Sequence, residues 1–171
     1  MLRQPRRPSP NSIRCRLPGS PSAPPGSFVE ADGRPAFRLE HDVSELGAAL
    51  VLRDLDGTEL YRIDTPEMRL RDSLAIAAGS QTVAVVRKVL EPPFREEFLV
   101  EALGSCVWRA TGRIAAGAYC VRDGRETVAA VRSAVGGTAS SFEVLVGETA
   151  DAALVLIVVV AINELAPPHA D

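Results

Sequence analysis

The segment that decides the fold is DAALVLIVVVAINEL, residues 151–165, in which every residue from Ala152 to Ile162 is apolar. A helix that spans a membrane needs about 20 such residues to cross roughly 30 Å of hydrocarbon. As a helix this run would cover only about 16 Å, because each residue adds about 1.5 Å. Polar residues, Asp151 and Asn163, bound the run on its two sides. We therefore expect no membrane span and an element that is buried within the protein.

The residues of this segment do not by themselves choose between a helix and a strand. Its many Val and Ile residues favour a strand, whereas Asp151 is a good N-cap for a helix that begins at the next residue. No polar face interrupts the run, and an element that is apolar on all sides is buried on all sides. Both secondary structures remain open at this point.

Glycine-containing turns separate a series of short apolar–polar runs upstream of this segment. The turns lie at Asp32-Gly33, Asp56-Gly57, Ala78-Gly79, Gly104 and Asp123-Gly124. Gly, often preceded by Asp, accepts the positive φ that tight hairpin turns need, so each turn predicts an antiparallel hairpin. A serial meander of hairpins has two unpaired edges, and closure into a barrel removes them.

Four segments carry a resemblance to a known family. They are SFVEADGRPAFRL, LRDLDGTELYRI, AYCVRDGRETVAAVRS with the following FEVLV, and DAALVLIVVVAIN. Their order, from Ser27 to Leu165, resembles the tubby C-terminal-like superfamily and, more narrowly, the LURP-one-related proteins and their small bacterial relatives, with a distant relation to phospholipid scramblases. The resemblance implies an α+β, mostly β fold, in which a closed antiparallel barrel of about twelve strands surrounds a central hydrophobic C-terminal helix.

The chain divides into one domain and two tails by composition. Residues 1–26 are rich in Arg and Pro and hold no acidic residue and few large apolar ones. Such a segment buries too little apolar surface to offset the entropy of ordering, so we predict a disordered tail. Residues 27–166 form the predicted barrel domain, and residues 167–171 form a short second tail.

Motifs for catalysis and for metal binding are missing from the sequence. It holds no Gly-x-Ser-x-Gly elbow, phosphate loop or dinucleotide-binding glycine pattern, so we expect no enzymatic activity. The three cysteines and two histidines lack the spacing of a zinc site, so we expect no metal and no cofactor. The formal net charge is −3 although the first 26 residues are basic, which leaves an acidic body and argues against nucleic acid as a partner.

Arginines supply the candidate binding residues. Tubby proteins bind phosphoinositides through basic side chains, so the resemblance implies an anionic phospholipid headgroup as a partner. Arg69 and Arg71 would share one face of a strand and could hold a phosphate, although a merely solvated strand face explains them as well. Arg87 and Arg95 complete the candidate ligand-binding set.

The predicted function is therefore binding at a membrane surface by a monomeric, cytoplasmic protein that is peripheral to the membrane. The alternative is a structural or protein-interaction scaffold in stress or defence, without lipid affinity. A phospholipid scramblase-like activity is a weaker alternative, because SSFEVLVGETAD, which precedes the apolar segment, has too few carboxylates for a calcium shell of about six to eight oxygens.

Overall fold

The computed structural model describes residues 13–18, 27–44, 47–65, 72–91, 95–102, 104, 106–134 and 141–166. Within these ranges the chain forms twelve strands and, after them, one helix. The strands are β1 Ile13–Pro18, β2 Ser27–Ala31, β3 Arg34–Ser44, β4 Gly47–Asp54, β5 Glu59–Thr65, β6 Ser73–Ala78, β7 Gln81–Glu91, β8 Arg95–Ala102, β9 Cys106–Arg113, β10 Ala118–Asp123, β11 Glu126–Ala134 and β12 Ser141–Val146. The helix is α1 Ala152–Leu165. The prediction of a mostly β domain with one C-terminal helix is confirmed.

All strand pairs are antiparallel, and their hydrogen bonds link β2 through β12 in chain order. Strand β1 lies between the two ends of this series and pairs with both β12 and β2, which is the order of a closed barrel. Two junctions of the ring are narrow, because β1–β2 and β5–β6 each share only two register pairs. The helix contacts β5, β6 and β7 on one side and β11 and β12 on the other, so it lies inside the sheet.

The prediction that residues 1–26 form a disordered tail is wrong for six of them. Ile13–Pro18 is strand β1, whereas residues 1–12 and 19–26 lie outside the described residues. The prediction rested on the many prolines and on the small number of large apolar residues. Apolar and basic residues nevertheless alternate in IRCRLP, and a short strand gains its backbone hydrogen bonds from partners on both sides rather than from its own composition.

The surroundings of helix α1 explain why secondary-structure propensity did not choose between a helix and a strand for the segment 151–165. Every residue from Val155 to Ile162 is buried, on all sides of the helix. An element surrounded by a sheet has no neighbouring strand with which to pair, and a helix satisfies its backbone groups internally. The carboxylate of Asp151 caps the helix by accepting a hydrogen bond from the Leu154 N–H over 3.0 Å.

A tyrosine of the sheet lies beside each end of this helix. At the N-terminal end, Tyr61 of β5 lies next to Asp151; burial, then the negative charge of that carboxylate and a hydrogen bond to it, raise the pKa of Tyr61. At the C-terminal end, Tyr119 of β10 donates a hydrogen bond to Asn163 over 3.1 Å. These two are the only tyrosines in the sequence. They fix the helix along its axis, which apolar packing alone does poorly.

The five predicted hairpin turns are confirmed, and all lie at one end of the sheet. They connect β2–β3, β4–β5, β6–β7, β8–β9 and β10–β11, so they share the end at which α1 begins. All five turn glycines have positive φ. In the first turn Asp32 has a φ of 50° and Gly33 a φ of 79°, as a two-residue primed turn requires.

Apolar side chains, most of them aliphatic, fill the interior. Tyr119 is buried among them with its hydroxyl bonded to Asn163, and no charged residue among the described ones is buried. In the part of the chain that the structure describes, no helix combines the length and the apolar character needed to span a bilayer. The interior therefore holds the helix and the core, and the outer wall and the two ends of the sheet carry the polar groups.

Candidate binding surface

The structure does not bring the four predicted arginines together. Arg69 and Arg71 lie outside the described residues, and Arg95 begins β8 without a described side chain. Arg87 is exposed on β7, where its Nη2 atom lies 3.9 Å from the Oε2 atom of Glu101. An exposed pair of this kind contributes about 0 to 1 kcal/mol, so Arg87 stays accessible but has an acidic neighbour.

The outer face of β3–β5 carries a network of ion pairs, which we call the ion-pair face. It consists of Glu40, Asp42, Arg53, Glu59 and Arg62. Arg53 lies 3.0 Å from Glu40 and 3.5 Å from Glu59. Arg62 lies 3.1 Å from Glu59 and 3.1 Å from Asp42. The hydrogen bond that Arg62 donates to Glu59 is the largest cause that raises the pKa of Arg62.

This network covers an apolar residue on the outside of the sheet. Val51 is the direct register partner of both Glu40 and Arg62, and none of its surface is exposed. Long charged side chains cover apolar surface with their stems while their charged ends pair in water. The arginines of the ion-pair face are therefore engaged with carboxylates and offer little to an external anion.

A second group of arginines lies on the outer wall of β9–β11. Arg109 and Arg113 belong to β9, Arg122 to β10 and Arg132 to β11. Each is exposed. Buried residues alternate with them along the strands: Trp108 and Ala110 in β9, Tyr119 and Val121 in β10, Ala129 and Val131 in β11. This alternation places all four arginines on the outside of the sheet.

The strand register arranges these arginines in two rows. Arg109 and Arg122 are direct partners across β9 and β10. Arg113 and Arg132 both pair with Ala118, one from each side. The rows lie four positions apart along the strands, which corresponds to about 13 Å at the usual rise per residue.

An apolar stripe runs between the two rows. Cys120 pairs with Ala130, and Ala130 pairs with Leu145 of β12. Cys120 and Ala130 are half-buried, and Leu145 is 38% exposed. We call the four arginines together with these three residues the arginine face.

Among the described residues, only one of the four arginines of the arginine face has a carboxylate partner. Arg109 is paired, because its Nη1 atom lies 2.6 Å from the Oε1 atom of Glu97. Arg113, Arg122 and Arg132 form no ion pair with any carboxylate of the described residues. Glu143, the register partner of Arg132, is the nearest acidic position in the row and has an interaction of its own.

The two charged faces lie on opposite sides of the ring. Strands β6, β7 and β8 separate them in one direction, and β1 and β2 separate them in the other. The arginine face thus offers guanidinium groups beside partly exposed apolar surface, whereas the two arginines of the ion-pair face are neutralised by its three carboxylates. An external anion would meet the stronger attraction on β9–β11.

Sequence reasoning missed the arginine face for a definite reason. Strand alternation could have placed Arg109 and Arg113 on one outer surface, since they are four residues apart. Their closeness to Arg122 and Arg132 depends on the register between three strands, which a single sequence does not display.

The other reactive side chains that the structure describes form no second site. Cys106 is exposed and Cys120 half-buried, and both are free thiols. Among the residues that the structure describes, no three His, Cys, Asp or Glu side chains are grouped so that they could hold a metal ion.

The fold and this surface define a class: a mostly β domain around one buried helix, with its polar groups on the outer wall. Residues 26–163 match the family model described as LURP-one-related, and the chain belongs to this family. The X-ray structure of a protein from Arabidopsis thaliana is similar to it, with 18% sequence identity and a TM-score of 0.42 over 92% of this chain and 93% of that chain. No curated protein sequence matches this chain significantly. The family resemblance predicted from the hairpins and the terminal apolar segment is confirmed.

Proposed function

We propose that this chain is a non-enzymatic binding module that docks on anionic phospholipid headgroups through its arginine face, as a monomer on the cytoplasmic side of a membrane. The proposal takes the ring of strand pairs as a closed barrel filled by α1. Because the helix occupies the interior, the outer wall is the surface on which a ligand would bind. The observation that carries the proposal is a set of three arginines, Arg113, Arg122 and Arg132, that pair with no carboxylate of the described residues and lie around a partly exposed apolar stripe.

The chemistry of this face suits a lipid surface. Guanidinium groups bind phosphate oxygens through paired N–H donors. Each basic side chain near an anionic membrane contributes about 1 kcal/mol of binding free energy. Leu145, exposed between the arginine rows, would reach the boundary between headgroups and acyl chains, where apolar side chains are favoured.

Vesicle flotation tests the proposal with a matched pair of variants. The full chain is mixed with vesicles of phosphatidylcholine alone or of phosphatidylcholine with phosphatidylserine. The test variant Arg122→Gln/Arg132→Gln removes two charges from the arginine face. The control variant Arg34→Gln/Arg87→Gln removes two exposed charges from elsewhere, so both variants change the net charge equally.

We expect the unaltered chain to float only with the anionic vesicles, and more weakly as salt is raised. The test variant should bind about 30-fold more weakly, which corresponds to about 2 kcal/mol for two arginines. The control variant should bind nearly as well as the unaltered chain. Greater loss in the control would instead favour the surface around Arg87.

Equal recovery with neutral and anionic vesicles would refute lipid binding and favour the alternative, an interaction scaffold in stress or defence. That alternative is tested by capture of a protein partner that phosphate analogues do not displace. A scramblase-like activity is distinguished by exchange of a labelled lipid between vesicle leaflets, with and without calcium.

A further inference from the structure

Strand β1 closes the ring. It pairs with a strand near the opposite end of the sequence, β12. It lies between β2 and β12, and we call the site between these two strands the seam. Without β1, both of these strands would present unpaired backbone groups, and such edges accept strands from other molecules. The matched family domain begins at residue 26, so β1 lies outside it.

Strand β1 is held much more by one neighbour than by the other. All six of its residues pair with β12, from Ile13↔Val146 to Pro18↔Ser141. Only two pairs join it to β2, at Cys15↔Ala31 and Arg16↔Glu30. Its main partner is therefore a strand more than a hundred residues away in sequence rather than the strand that follows it.

The connection between β1 and β2 is longer than a hairpin needs. Residues 19–26 read GSPSAPPG, which gives eight residues between the two strands. Two to five residues suffice for a tight hairpin. Eight extended residues reach as far as about 26 to 29 Å, so the connection lets β1 reach a seam other than its own.

We propose that the seam between β2 and β12 is a strand-accepting site that binds β1 of a second copy of this chain in place of its own β1, giving a strand-exchanged dimer. The backbone hydrogen bonds of the seam are the same whichever copy supplies the strand. The balance therefore depends on protein concentration relative to the effective concentration set by the connection, about millimolar for a short flexible tether, so the chain is a monomer when dilute and exchanges strands only when concentrated. Exchange by both copies closes a two-fold dimer with no free seam.

A disulfide trap in the full chain tests the exchange, using the register partners Arg14 and Leu145. Cys15, Cys106 and Cys120 are first changed to Ser. One copy then carries Arg14→Cys, and a second copy, enlarged by a fusion tag, carries Leu145→Cys. The two are unfolded, mixed, refolded together at high protein concentration and oxidised. We expect a mixed disulfide between the two copies, and much less of it after refolding at low concentration.

Two controls make the result decisive. Replacing Leu145→Cys by Leu55→Cys, on the exposed turn between β4 and β5, measures random collision. A single chain with both Arg14→Cys and Leu145→Cys, refolded dilute and oxidised, locks β1 in its own seam. Light scattering should show a concentration-dependent dimer for the unlocked chain and only monomer for the locked chain.

Mixed disulfide no greater than the collision control would overturn the exchange. Failure of the double variant to form its internal disulfide would overturn the seam itself. Neither result bears on lipid binding, because the flotation test varies arginines outside β1 in chains that keep Arg14 and Leu145.

Discussion

The hydroxyl of Tyr119, in β10, donates a hydrogen bond to the Oδ1 atom of Asn163, in the last turn of α1, over 3.1 Å. Tyr119 is 3% exposed, and 44 residues separate the two in sequence. Most of the contact between the helix and the sheet is aliphatic and non-directional, so this bond is one of few contacts that specify how far the helix extends into the sheet. The bond thus links α1 to β10, the strand that also carries Arg122.

Tyr119→Phe removes this hydrogen bond and keeps the ring. We expect the free energy of unfolding to fall by about 1 kcal/mol, since Asn163 is half-buried and can reach water instead. Urea unfolding of the single variants Tyr119→Phe and Asn163→Ala and of the double variant measures the coupling. Additive effects in the double variant would show that the pair contributes no interaction energy.

The stability of the folded chain should fall in alkaline solution because of the same tyrosine. Burial raises the pKa of Tyr119 above its ordinary value of 10.0. Above that pH the unfolded chain loses the phenolic proton and the folded chain keeps it, so the free energy of unfolding decreases as pH rises. The slope approaches about 1.4 kcal/mol per pH unit for one such group.

Urea unfolding at several pH values between 9 and 11 measures this slope. Tyr119→Phe should flatten it. Tyr61→Phe should have a smaller effect, because that ring is half-buried and only partly desolvated. Equal slopes in the unaltered chain and in Tyr119→Phe would contradict the burial of an un-ionised phenol.

The elements set by local chemistry could be predicted from the sequence. The Asp32-Gly33 turn has the positive φ angles that its residue types favour, and the apolar run after Asp151 is buried as its composition requires. Strand β1 could not be predicted in this way. IRCRLP becomes ordered because β12 and β2 lie on either side of it, and no local property of residues 13–18 reveals those partners.

The candidate site was less predictable than the fold. The sequence marks Arg87 only as one basic residue among several, and the structure places it beside Glu101. The arginines that lack a carboxylate partner among the described residues lie on separate strands, and Ala118 joins Arg113 to Arg132 only through the register of β10. Register is a property of the assembled sheet, so a site built from it appears only in the structure.

Val158→Asp tests the position of the helix. Val158 lies in the middle of α1 and is 1% exposed, so the substitution places a carboxylate where no described charged residue is buried. We expect a loss of more than about 4 kcal/mol and failure to fold. The same change at Val43, which is 71% exposed, should leave the circular dichroism spectrum and the thermal midpoint nearly unchanged. A folded Val158→Asp protein would contradict burial of the helix inside the sheet.

Gly112→Ala tests the close packing of β9 against β10. Gly112 has a φ of +140°, and an added Cβ would lie 2.8 Å from the Ala118 carbonyl oxygen and 2.8 Å from the Tyr119 Cα atom. Because both atoms belong to the backbone, the strands must move apart, and we expect the free energy of unfolding to fall by about 2 to 4 kcal/mol.

Gly33→Ala is the control: its φ of +79° is strained for alanine, but no atom lies within 4 Å of the added Cβ. Strain alone should cost about 1 to 2 kcal/mol. Thermal unfolding of both variants measures the difference, and an equal loss would show that the close approach of β10 to Gly112 carries no steric cost.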